Sequence, residues 1–234
     1  MTLSDYRKSR TAIVNLTLLF LGDPLGEKHA PARVAEIVND VVMDFVLKTQ
    51  MIKEEINVQL LADVQEYDIA NRVEVDGTLR LYGYPIRVGF NGSDCPALPS
   101  TELLILDLFG YSQAESVSPN RWHVDTVSPG KIVIFGPPAT AGEALPSEEN
   151  NIQVTYVAMP GYMDDATDYP DIDIPATFHQ AFAYGAAAIL AEESDDPEIF
   201  MKSVEFDDAY AEWVRTAVAE SYRNMTKYDD FRPM

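Results

Sequence analysis

The sequence predicts an α+β protein: a helical bundle formed by two N-terminal and two C-terminal helices, with an inserted antiparallel β subdomain, a sandwich or open barrel. Three observations predict it. Apolar residues recur at three and four between residues 11 and 49, and again after residue 175. Between those stretches the pattern changes to short alternating runs cut by Gly and Pro. Finally, 47% hydrophobic and 24% charged residues over 234 positions are ordinary globular values, enough for one sizeable core or two small subdomains. The implied layout is 1–53 for the first helical pair and 54–158 for the β subdomain. Residues 159–225 hold the second pair, and 226–234 an extended tail.

The first helix starts near Ser9 or Thr11, whose hydroxyls can cap open amides, and stops at Gly22 before Asp23-Pro24. Arg7, Lys8 and Arg10 ahead of the apolar run Ala12–Leu21 imitate a signal peptide. Asn15 and Thr17 interrupt that run, and it falls far short of the ~20 residues that span a bilayer, so it reads as a buried helix. A second helix opens near Pro31, with Val34, Ile37, Val38, Val41, Phe45 and Val46 as its buried stripe.

From Glu54 the period is that of strands. Ile56, Val58 and Leu60 alternate with polar residues, and 63–68 reads as a hairpin turn before Tyr67 and Ile69. Further strand-like runs are 72–75, 79–88, 101–108, 122–127, 131–135 and 152–157. After a loop at 159–173, Pro175 opens a helix with Phe178, Phe182, Ala186 and Ile189 on one face. Its other side is small, with Ala183, Gly185, Ala187 and Ala188 as helix-packing positions that let a neighbouring helix approach closely. Asp195-Asp196-Pro197 then supplies a cap and first turn for the last helix.

Composition also limits chemistry. One cysteine, Cys95, leaves no disulfide framework and no Cys-based zinc site, which suits a reducing cytoplasm. The net charge of -21 argues against non-specific nucleic-acid binding. That charge is uneven: seven basic against eight acidic residues over 1–60, but five against seventeen over 161–234. The surplus is either a solvated acidic surface or a functional one, a wall facing transiting DNA or a face matched to a basic partner. His29, His123 and His179 lack the spacing of metal ligands, and no nucleophile elbow, phosphate loop or dinucleotide motif is present. The expectation is therefore no catalytic residue, no metal and no cofactor. Asp164, Asp165, Asp168, Asp171 and Asp173 lack the glycine and closing glutamate of an EF-hand; they read as a polar connection, with weak cation binding the alternative. Trp213 reads as core, and Trp122 as the start of a strand.

The order of several short motifs resembles the head-to-tail adaptor proteins of tailed bacteriophages, the neck connectors and tail-tube gatekeepers. Leu21-Gly22-Asp23-Pro24 closes the first helix, and Asp44-Phe45 with Thr49 closes the second. Val58-Gln59-Leu60 and Glu66-Tyr67-Asp68-Ile69 match a strand pair, and Pro129-Gly130-Lys131-Ile132 a later strand. Ile174-Pro175-Ala176-Thr177-Phe178-His179 opens the alanine-rich helix. The resemblance covers nearly the whole chain; the β region is longer than in compact adaptors. It implies a non-enzymatic virion protein assembled in the host cytoplasm. Such a protein forms a ring under the portal and passes DNA without binding it specifically. Its partners would be the portal, its own copies and tail or nozzle proteins, with no membrane. C-terminal arms in this family embrace the portal, which makes Lys227, Tyr228, Phe231, Arg232 and Met234 the candidate portal-binding residues. The alternative is a β-rich virion decoration or carbohydrate-binding module, with Tyr82, Tyr84, Phe90, Phe109 and Tyr111 as its aromatic platform.

Overall fold

A computed structural model of the chain describes residues 7–62, 64–69, 82–90, 93–95, 97, 121–124, 131–135 and 151–229. The fold is α+β, and it divides into two compact units, Met1–Ile52 with Met159–Met234, and Lys53–Ala158. The first unit holds four helices among its described residues: α1 (Arg10–Phe20), α2 (Pro31–Thr49), α3 (His179–Glu192) and α4 (Pro197–Asp229).

Local chemistry sets each helix end. The Ser9 hydroxyl accepts from the Ala12 amide at the start of α1, 3.3 Å away. Past its end Gly22 takes φ +71°, a conformation that favours glycine. Pro31 is the first residue of α2, and Gln50 ends that helix at φ 53°. At the start of α4, the Asp196 carboxylate accepts from the Glu198 amide at 3.1 Å. The sequence predicts an extended tail from Thr226, but α4 stays helical through Asp229. Residues 226–229 contain neither proline nor glycine to end it. Residues 230–234 lie outside the described part.

Helix α3 touches the other three, flanked by a single-turn 3-10 helix at Ala176–Phe178. It is buried nearly all round, as a helix in the middle of a bundle must be. Phe45 of α2 packs edge-on to Phe182 at 5.3 Å between ring centroids. Phe20 of α1 stacks on Tyr184 at 4.6 Å and on Phe206 of α4 at 6.0 Å. Of the face that the sequence assigns to Phe178, Phe182, Ala186 and Ile189, the first three are buried and Ile189 is 40% exposed. In so alanine-rich a helix no polar face marks which side meets water.

The second unit is antiparallel β among its described residues, in two sheets. One has the order β1 (Lys53–Val58), β7 (Ile152–Ala158), β3 (Tyr82–Phe90), β4 (Ser93–Cys95). The other is β2 (Glu66–Asp68), β6 (Lys131–Phe135), β5 (Arg121–Val124). Val58, Val88, Ile152 and Val154 from the first sheet share a core with Tyr67, Trp122, Ile132 and Ile134 from the second. This is the build of a small sandwich. The hairpin expected between Val58 and Tyr67 does not form. β1 pairs with β7, Lys53 opposite Val157, and β2 pairs with β6, Tyr67 opposite Ile132. The intervening chain turns a corner instead. Leu60 N–H donates to Asn151 Oδ1, while the buried Tyr67 hydroxyl accepts from Leu61 N–H and donates to the Val64 carbonyl. The strand-like runs 72–75 and 101–108 lie outside the described residues.

Candidate functional site

The bundle is drawn together at one glycine. A Cβ on Gly185 would lie 2.6 Å from Val41 Cγ1 of α2 and 3.1 Å from the Tyr210 ring of α4, so α3 meets both neighbours at that position. Ala183, Ala187 and Ala188 are buried beside it, and Ala183 and Ala187 are fully enclosed.

Directly over this junction runs a groove of about 550 Å³ between α2, α3 and α4. Val41, Ala188, Ile189 and Val204 give it apolar walls, and Asp40, Glu192 and Asp207 lie along its acidic sides. At its floor the Tyr210 hydroxyl donates to Asp44 Oδ2 at 2.8 Å. Burial, and then the neighbouring Asp44 charge, push the Tyr210 phenol above its ordinary range, so it stays a donor. Lys48 pairs with the same Asp44 oxygen at 2.7 Å and lies over the Tyr210 ring. The groove's one lysine is thus already engaged with a groove carboxylate. Along α4 the apolar surface continues outward, with Phe200 51%, Met201 76% and Val204 66% exposed. Side chains of that size are normally covered when they cluster.

A second set of contacts fixes the polar loop before α3. The Arg10 amide donates to the Asp168 carbonyl, the Arg10 guanidinium to that of Asp164, and Thr11 to that of Ala166. Arg7 donates to the Pro170 carbonyl and stacks on Tyr169. On the other side Asn39, buried in α2, exchanges two 3.2 Å bonds with the Met163 backbone. The loop acids therefore sit in a braced connection. Among the described residues no group of three or more His, Cys, Asp or Glu is arranged to hold a metal ion.

Two further polar residues belong to this framework. Asp23 accepts from the amides of Glu27, Lys28 and His29 at 2.8–2.9 Å. Burial raises its carboxyl pKa, but those amides outweigh that and the net shift is downward. This explains the acid of the Leu21-Gly22-Asp23-Pro24 step: it ties the turn into α2. His179, fully enclosed at the start of α3, accepts the Lys8 amide at Nδ1, 3.1 Å away. Burial lowers its pKa to about 4, helped by the charges of Arg7 and Lys8 against an opposing Ile174 carbonyl. Nothing in local sequence marks Asn39 or His179 for these roles, since each depends on a partner more than a hundred positions away.

The other predicted positions are dispersed. Lys227 and Tyr228 lie in the last turns of α4, and Phe231, Arg232 and Met234 lie outside the described residues. Trp213 is half-buried and meets Phe178 edge-on. Trp122 is buried in the β core, its indole N–H donating to the Cys95 carbonyl. Of the aromatic platform, Phe90 packs against that core. Phe109 and Tyr111 lie outside the described part, as does the side chain of Tyr82.

The helical unit thus carries a groove with apolar walls and acidic sides, and no metal-binding cluster among the described residues. The family model described as SU10 adaptor protein matches residues 9–228, across both units, and the chain belongs to that family. It is thus a phage adaptor protein, a virion component that interacts with other phage structural proteins. No curated protein matches the chain. No helix among the described residues is long and apolar enough to cross a membrane.

Proposed function

We propose that this adaptor is a non-catalytic component of the phage neck. It forms a ring under the portal, links head to tail and contributes to the wall of the DNA channel. The observation that carries this reading is the adaptor family match over residues 9–228, which takes in the helical bundle and the β sandwich together. The charge supports it. A surface with a net charge of -21 repels the DNA backbone, so DNA can pass without adhering.

In this reading the portal-docking arm is shorter than the tail set out from the sequence. With α4 helical through Asp229, Lys227 and Tyr228 belong to the helix, which leaves Phe231, Arg232 and Met234 to form an arm. Ordering such an arm costs roughly 1–2 kcal/mol per residue, so burial of Phe231 and Met234 has to offset it. Deletion after Asp229, followed by circular dichroism and co-sedimentation with portal-bearing capsids, tests the arm. The expected result is unchanged helix content with lost capsid binding. Undiminished binding would remove the arm from the reading, and absence of the protein from the neck in electron micrographs would remove the reading itself.

A further inference from the structure

The groove over Gly185 and the far end of α4 are complementary, and one chain cannot bring them together. The first half of α4, residues 197–212, has five carboxylates against one lysine. Residues 213–228 reverse this, with three cations against one carboxylate. Ser221 donates to the Gln50 carbonyl of its own chain, and beyond it Tyr222–Tyr228 contains Arg223 and Lys227 one turn apart, no acid, and Tyr222, Met225 and Tyr228. The groove presents the matching features: Asp40, Glu192 and Asp207 at its sides, with Ile189 and Val204 exposed between them. An apolar floor with charged sides is how a groove takes an amphipathic helix.

Both features lie on the same unbroken helix. Val204 and Arg223 are 19 positions apart, about 28 Å along the axis at the rise of an α-helix. A continuous helix cannot fold its end back onto its own beginning, so the occupant has to come from another molecule. We propose that the groove between α2, α3 and α4 receives the Tyr222–Tyr228 end of α4 from a second copy of this chain. The contact joins two different surfaces, so each copy offers a groove to one neighbour and a helix end to the other. Repetition of such a contact closes into a ring when the rotation from copy to copy divides a full turn, as the neck-ring reading requires. This deepens the neck-ring reading and rests on it.

Phage particles assembled with a Val204→Cys/Tyr228→Cys chain and treated with a short bis-maleimide test the contact. The expected product is a ladder of covalently linked multimers, with each single variant remaining unlinked. Val204 is exposed, so its replacement leaves folding intact. A ring visible in micrographs without a ladder would overturn the docking and leave the ring reading standing. Particles in which the chain forms no ring would overturn both. An independent arm exchanges charge: Asp207→Lys should lower the yield of ring-bearing particles at least tenfold, and adding Lys227→Glu should restore it. Wild-type assembly by Asp207→Lys, or no recovery in the double variant, would count against the contact.

Discussion

Gly185 shows how one residue type can be set by three helices at once. Replacing it with Ala gains about 1 kcal/mol of helix propensity, but the new Cβ would meet Val41 Cγ1 at 2.6 Å. Overpacking of that kind costs roughly 1–3 kcal/mol, so the clash outweighs the gain. Thermal or urea unfolding should find Gly185→Ala less stable than the parent. Val41→Ala in the same chain should recover part of the loss, a coupling that separates close packing from a general intolerance. His179 gives the second prediction at this scale. Its folded pKa of about 4 lies below the unfolded value of 6.5, so between those values the unfolded chain holds more protons. Stability contributed by the neutral ring is present above about pH 6.5 and is lost as pH falls towards 4, by at most about 3 kcal/mol. In His179→Gln this component should disappear from the pH–stability curve. An unchanged acid limb would place the titration elsewhere.

Elements were legible in proportion to how local their causes are. The four helices announce themselves through apolar spacing and through Ser9, Gly22, Pro31 and Asp196-Pro197, all within a turn of the ends they set. Strand pairing does not work that way. β1 and β7 both alternate, yet nothing in Lys53–Val58 says that its partner lies about a hundred residues later. The nearer β2 is the tempting choice, and Asn151 and Tyr67 defeat it by holding the chain in a corner. The groove was illegible for a related reason. Small residues in α3 point to close packing, but whether Ile189 and Val204 are covered depends on how α2 and α4 cross it.

For the whole molecule the salient fact is how the β unit is attached. It enters at Lys53 and leaves at Ala158, and β1 and β7 pair side by side with Lys53 opposite Val157. Partners in an antiparallel pair lie about 5 Å apart. To the helical unit, about a hundred inserted residues therefore behave as a connection of almost no length. Closing a flexible loop that long would carry a substantial entropic penalty; a folded insert with adjoining ends has met it in forming its own sheet. The helical unit should accordingly survive excision. Joining Ile52 to Met159 by a few Gly and Ser residues is expected to leave a cooperatively melting helical protein, checked by circular dichroism and calorimetry. A molten product would show that the bundle needs the sandwich. The same geometry makes the β unit an exchangeable cassette: a different fold with equally close ends can stand in its place without lengthening the connection between the two helical pairs.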